Sequence, residues 1–269
     1  MTMNRAIFKN AVLQLNQEDT SYRQAEGISQ SELKPMLVSP AHYKQAKEEP
    51  NEETDAMRLG TATHLAAFQL DHFHDEVVMA PKFDKRTKDG KAGWERFQHE
   101  NAGKLCLGED DYSKCIGMAE AVRSIPLFST LMQYGSPEAS IYADYDAVTK
   151  VKGRVDWLND TANFVIDLKT LGKEANEYNI KNVIKDRGYD FQAAYYMQLL
   201  NALYPDRVFR FIFVFVESAA PHGVRFVEIT PLRLLDKVND IETCLRQLAA
   251  AKASGVWAGY KSEIVTLDI

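Results

Sequence analysis

The stretch Gly153-Arg154-Val155-Asp156-Trp157-Leu158-Asn159-Asp160-Thr161-Ala162-Asn163-Phe164-Val165-Ile166-Asp167-Leu168-Lys169-Thr170 decides how the chain is read. Two apolar segments flank the turn-forming run Asn159–Asn163, a pattern that predicts a β-hairpin. Side chains alternate across a strand, so Asp167 and Lys169 share one side while Ile166 and Leu168 take the other. A turn centred near residues 161 and 162 sets Asp156 roughly opposite Asp167. Two carboxylates and an ammonium then converge on one small patch.

Such a patch suits metal-assisted phosphodiester hydrolysis. Hard divalent cations such as Mg²⁺ take carboxylate oxygens and keep several waters. The metal polarises the phosphate and acidifies a bound water, while a lysine positions or helps deprotonate the nucleophile. An exposed Asp–Lys pair two residues apart leaves the same trace and is worth little. The apolar neighbours Val165, Ile166 and Leu168 argue against a fully solvated strand.

The 269 residues suffice for one large domain, and 45% hydrophobic with 26% charged residues is ordinary for a soluble globular protein. No apolar run approaches the roughly 18 residues that span a bilayer. Met1–Lys9 lacks the apolar core of a signal peptide. Cys106, Cys115 and Cys244 show no zinc-type spacing and read as reduced packing residues, which places the protein in the cytoplasm. A net charge of −6 works against binding a polyanion. A nuclease of this composition must gather positive charge locally and offset its acidic site with metal ions.

Residues 1–26 are polar and weakly patterned, a short strand or a loose N-terminal arm ahead of a single domain over 27–269. Ser29 with Glu32 three residues on is a capping box that opens a short helix, and Pro40 opens the next. Glu48–Glu53 reads as an acidic loop. Met57–Phe68 reads as a buried helix of small residues, on which His64 becomes a ligand only in the company of the hairpin carboxylates. Residues 82–91 carry five positive and two negative charges. Lys85, Arg86 and Lys88 are its candidate DNA contacts on a flexible loop, though a solvated surface loop fits the charge count equally.

Residues 109–133 look helical, with a break near Pro126. Glu138–Tyr145 alternates as a strand and joins the hairpin in a three-stranded meander. Glu138 is either a further carboxylate of the site or an edge-strand charge, with Asp144 and Asp146 competing for the same role. Residues 171–186 read as a polar connection into a helix where Gln192 and Tyr196, four apart, share a face. Val208–Val216 is apolar on both faces and therefore a central strand. Val224–Ile229 is another strand, and residues 231–253 form a final amphipathic helix.

Five ordered elements carry a wider resemblance: Gly60-Thr61-Ala62-Thr63-His64, Pro137-Glu138-Ala139-Ser140, Gly153–Asp156, Asp167-Leu168-Lys169-Thr170, and Gln192–Tyr196. Together they resemble the RecB-type branch of the PD-(D/E)xK nucleases. Ile28–Leu33 followed by Ser39–Tyr43 is similar to the RecE-type exodeoxyribonucleases (exodeoxyribonuclease VIII) within it, in their C-terminal nuclease portion or as a stand-alone phage protein. The resemblance covers the chain from about residue 27. It implies an α/β fold of α+β type, with a restriction-endonuclease-like mixed central β-sheet flanked by α-helices.

The same resemblance implies that Asp156 and Asp167 bind metal, with His64 as a further ligand and the Leu168 carbonyl completing the sphere. It makes Lys169 the catalytic lysine, and Gln192 and Tyr196 the element that orients the site or the DNA end. It implies Mg²⁺, with Mn²⁺ as the alternative ion, and 5′→3′ degradation of one strand of linear duplex DNA. The 3′ overhang would pass to a single-strand annealing partner of RecT type, and the protein would assemble as a toroidal homotetramer. Two other readings compete: a nuclease of the same branch acting on single strands or flaps, and a silent DNA-end-binding recombination scaffold. Intact Asp156, Asp167 and Lys169 count against the scaffold, because folding does not require those charges together.

Overall fold

The hairpin forms as the turn residues dictate, with Asn159 opposite Phe164 and Trp157 opposite Ile166. It sits in a computed structural model that describes residues 6–49, 54–84 and 86–266. Among these residues the strands are β1 (Lys9–Gln14), β2 (Val77–Ala80), β3 (Leu105–Gly108), β4 (Ser136–Asp144), β5 (Lys150–Asn159), β6 (Phe164–Leu171), β7 (Arg210–Glu217) and β8 (Val224–Glu228). The helices before the hairpin are α1 (Asp19–Gln24), α2 (Gln30–Leu33), α3 (Pro40–Glu48), α4 (Asp55–Phe68), α5 (Leu70–Glu76), α6 (Lys88–Glu100), α7 (Glu109–Arg123) and α8 (Pro126–Leu131). After it come α9 (Glu177–Arg187), α10 (Tyr189–Leu203) and α11 (Pro231–Ser254).

Six strands make one sheet in the order β1-β4-β5-β6-β7-β8, and β2 and β3 form a separate parallel pair. Only β6 and β7 run parallel within the large sheet. A parallel neighbour requires a crossover, which α9 and α10 supply. The fold is therefore the mixed α/β sheet flanked by helices that the family resemblance implied. Alternation of side chains along β7 builds both cores at once. Phe211, Phe213 and Phe215 join Phe191, Tyr195 and Leu199 of α10 and Ile241 and Leu245 of α11. Ile212, Val214 and Val216 turn the other way, toward Ala62 and Ala66 of α4 and Met118 and Val122 of α7.

Local chemistry sets the helix starts. The Ser29–Glu32 capping box closes in both directions, and Ser39 caps α3 with Pro40 just inside it. Several segments differ from the sequence expectation. Residues 171–186, read as a polar connection, contain most of α9. That helix buries only Ile180 and so carries little apolar periodicity; its signals are the Asn176 N-cap and Gly188 in the left-handed region at φ 60°. Lys88–Lys91 of the basic stretch is the first turn of α6, capped by Thr87, and not loop. The β2–β3 pair and α5 had no counterpart in the pattern reading. Within residues 1–26, β1 pairs antiparallel with β4 at the sheet edge and α1 follows it. Residues 50–53 of the acidic loop lie outside the described residues. Cys106, Cys115 and Cys244 are free and buried. No helix among the described residues is long and apolar enough to cross a membrane.

Candidate active site

Three neighbouring strands bring three carboxylates to one level. Pro137 pairs with Trp157 and Ala139 with Val155, so Glu138 and Asp156 stand level without pairing themselves. Glu138 sits at φ 47°, a left-handed conformation that a side chain adopts only at a cost of about 1–3 kcal/mol. That kink takes it out of the ladder. On the other side, the β5–β6 ladder ends at Trp157 and Ile166, and the same count sets Asp156 level with Asp167. The Leu168 N–H, left without a β5 carbonyl, donates to Asp156 Oδ2 at 2.8 Å.

The gap between β5 and β6 admits groups from both helix layers. From α4, His64 Nδ1 lies 3.1 Å from Asp156 Oδ2. From α10, Gln192 Nε2 donates to Asp167 Oδ2 at 2.7 Å. Lys169 Nζ stands 2.5 Å from Asp167 Oδ1 and 4.9 Å from the centroid of the Tyr189 ring. Tyr196 is buried, and its ring crosses Gly153. A Cβ at Gly153 would come within 2.8 Å of that ring, which explains a glycine directly before Arg154.

Burial and mutual repulsion shape the charges. Burial opposes charge on Asp156, but His64, Lys169 and the Leu168 N–H outweigh it and hold the carboxyl below its usual range. For Asp167, burial wins over Lys169 with help from the Asp156 charge, pushing its carboxyl up to about 6. Lys169 keeps its proton despite burial because Asp167 and Asp156 face it. Burial, then the Asp156 charge, push Glu138 up to about 7, although 38% of its side chain remains exposed and solvent screens part of this.

Among the described residues no three His, Cys, Asp or Glu side chains are arranged to hold a metal ion as they stand. The predicted set His64, Asp156 and Asp167 is brought to one place, yet its oxygens are engaged by His64, Leu168 N–H, Lys169 and Gln192. Leu168 contributes its amide N–H to Asp156, while its carbonyl as a metal ligand is what the resemblance implies. The donor chemistry nevertheless fits a hard divalent cation. Asp167 Oδ1 is buried and receives no well-directed hydrogen bond, even with Lys169 Nζ 2.5 Å away. Crowded carboxylates with an orphaned oxygen are what a cation would relieve.

The competing acids lie elsewhere. Asp144 bonds Lys150 and Asn10, and Asp146 ties down the turn at Val148 and Thr149. Of the basic stretch, Arg86 is paired with Asp84, Lys88 opens α6, and Lys85 lies outside the described residues. Neither Arg86 nor Lys88 has an ion pair with the acidic cluster among the described residues. A cleft of about 520 Å³ lined by Ile7, Tyr145, Glu242 and Arg246 shares no residue with the cluster. Sequence reading missed Arg154 and Tyr189. Arg154 Nη1 is 3.7 Å from Glu138 Oε2, its Nε bonds Ser140 at 3.0 Å, and Tyr22 lies under its guanidinium at 4.3 Å. Its place two residues before Asp156 was the available signal. Tyr189 offered none.

A mixed sheet with acidic groups and a lysine at a strand opening defines the PD-(D/E)xK class of domain. The chain belongs to the family described as PDDEXK-like domain of unknown function (DUF3799), whose model matches residues 29–267. A proposed exonuclease from Eubacterium rectale is similar in fold, with a TM-score of 0.66 at 14% identity over 95% of this chain and 97% of that one. A phage-related exonuclease from Haemophilus somnus 129PT gives a TM-score of 0.39 at 14% identity, over 86% of this chain and 97% of that one. No curated protein matches the sequence.

Proposed function

We propose that the protein is a divalent-metal-dependent exodeoxyribonuclease that degrades one strand of linear duplex DNA 5′→3′ and leaves a 3′ overhang. One observation carries the hydrolytic part: Glu138, Asp156 and Asp167 stand level on three adjacent strands, with Lys169 2.5 Å from Asp167. His64, Asp156 and Asp167 would hold the cation, Mg²⁺ or in its place Mn²⁺. When bound, it polarises the phosphate and supplies an acidified water. Gln192 fixes one oxygen of Asp167 and leaves the other facing the charge. Tyr189 supports the Lys169 ammonium, which orients the attacking water. Tyr196 holds α10 against Gly153 and so sets the height of Gln192.

Duplex specificity, polarity, the RecT-type annealing partner and the homotetrameric ring rest on the resemblance to RecE-type nucleases, and exonuclease action also on the likeness to the Eubacterium rectale protein. A ring suits a chain of net charge −6, which generic electrostatics would not keep on its track. The test is a linear duplex labelled at either end, incubated with Mg²⁺, Mn²⁺ or chelator, beside a covalently closed circle. Metal-dependent release from 5′ ends that spares the circle is expected, with light scattering reporting four subunits. Cleavage indifferent to chelator would end the reading. Release from 3′ ends would correct the polarity alone.

A further inference from the structure

Lys34 stands in the 3₁₀ turn Lys34–Leu37 that follows α2. Its Nζ lies 5.9 Å from the centroid of the Tyr189 ring, the same ring that supports Lys169 at 4.9 Å. Two ammonium groups thus share one aromatic side chain. Lys34 donates to the carbonyl of Arg187 at 2.9 Å, which leaves two of its three N–H donors without a protein acceptor among the described residues. The acids nearest to it are already engaged. Asp167 is held by Lys169 and Gln192, and Asp190 by Arg233 at 2.6 Å.

Two other enclosed cations among the described residues are satisfied by hydrogen bonds. Lys152 gives its ammonium to the carbonyls of Tyr22, Arg23 and Ala25, and Arg154 has Ser140 and Gln17. Lys34 is half-buried with the Arg187 carbonyl as its one protein acceptor among the described residues, and burial together with the Lys169 charge pushes it down to about 8. Capping the end of α9 accounts for the bond to Arg187. It does not account for placing a cation where Lys169 repels it. An anion arriving at the Tyr189 ring would use the spare donors and relieve the repulsion. A compact ammonium is suited to a phosphate as a point charge.

We infer that Lys34 binds a backbone phosphodiester of the DNA strand beside the scissile one, as a substrate-binding residue of the proposed nuclease. The inference rests on the nuclease reading above, and the test separates the two. Wild type, Lys34→Gln, Lys34→Met and Lys34→Arg are compared as full chains, each with a thermal melt. Affinity for a labelled duplex is measured across salt concentrations in chelator, and cleavage kinetics are measured with Mg²⁺. Duplexes carry either 5′-hydroxyl or 5′-phosphate ends.

Both neutral variants should bind about 10-fold more weakly, with KM raised to match and kcat nearly unchanged. Their salt slope should fall by about one, equally for both kinds of end. Lys34→Arg should recover most of the loss. Unchanged affinity and slope with a lower melting temperature would reduce Lys34 to a helix cap. A loss confined to phosphorylated ends would reassign it to the terminal phosphate, and a fall in kcat alone would move it into the chemistry; each overturns the inference. A wild type that neither binds nor cleaves duplex would sink the nuclease reading itself.

Discussion

Strand β6 has two unlike borders. Along β7 it is paired over its whole length, from Phe164 with Arg210 to Leu171 with Glu217. Along β5 the ladder runs only from Asn159–Phe164 to Trp157–Ile166. The closed border is packed on both faces by apolar side chains, with Phe213, Val214 and Phe215 fully buried. Beyond Trp157 the open border is filled by Asp156, Asp167, Lys169, His64 and Gln192. A closed ladder satisfies its own backbone groups, whereas an open one hands an N–H such as that of Leu168 to a side chain. It also lets both helix layers reach one point. The stiffness of the β7 border is what keeps like charges together on the other side.

The sharpest break of this comparison is Asp167→Ala. Cleavage should fall by more than about 10³-fold, since both the cation and Lys169 lose their anchor. Mg²⁺ should raise the melting temperature of wild type and leave that of the variant unmoved, because binding only to the folded state stabilises it. Near-wild-type cleavage of end-labelled duplex would remove Asp167 from the site.

Lys169→Met keeps the stem and removes the charge. Single-turnover rates should drop by about 10²–10⁴-fold while DNA affinity in chelator stays close to wild type. A loss of affinity alone would make Lys169 a phosphate contact.

On the closed border, Phe213→Ala should cost about 3–5 kcal/mol in urea unfolding, through lost burial and the cavity left behind. The folded variant should turn over at a near-normal rate. A rate as low as that of the Lys169 variant would mean that the borders are not separable.

Gln192→Ala withdraws the donor from a buried carboxylate oxygen, a change worth about 1–3 kcal/mol. The expected loss in kcat/KM is about 10- to 100-fold, smaller than for either charged residue. An unaltered kcat/KM would leave Gln192 a packing residue.

The smallest effect belongs to the basic stretch. Replacing Arg86 and Lys88 with Gln should lower the salt slope of DNA binding by about one, not two, because Arg86 is already paired with Asp84. An unchanged slope would return the segment to ordinary solvated surface.

Much of this was legible along the chain, for reasons that differ by residue. The hairpin followed from turn chemistry at Asn159–Asn163, and the central place of β7 from apolar residues on both of its faces. The Ser29 and Pro40 starts are local hydrogen-bond and backbone effects, so neighbours in sequence suffice. Asp167 and Lys169 share a side because strand geometry has period two. By contrast, α9 was hidden because a helix that buries only Ile180 has almost no apolar period to read. The β2–β3 pair was hidden because each strand is only four residues long and is held by packing against α4, α5 and α7.

The sequence by itself determined the hairpin, the pairing of an acid with a lysine at its end, and the strand that supports it. Those depend on contacts a few residues apart. Only the tertiary structure decided that Glu138, and not Asp144 or Asp146, stands beside Asp156, since that turns on ladder register and on one left-handed residue. It likewise decided that His64 and Gln192 arrive from opposite faces of the sheet, and that Lys34 shares the Tyr189 ring with Lys169. Charges interact through space, so the partners of a buried charge are fixed by packing between distant segments and not by position along the chain.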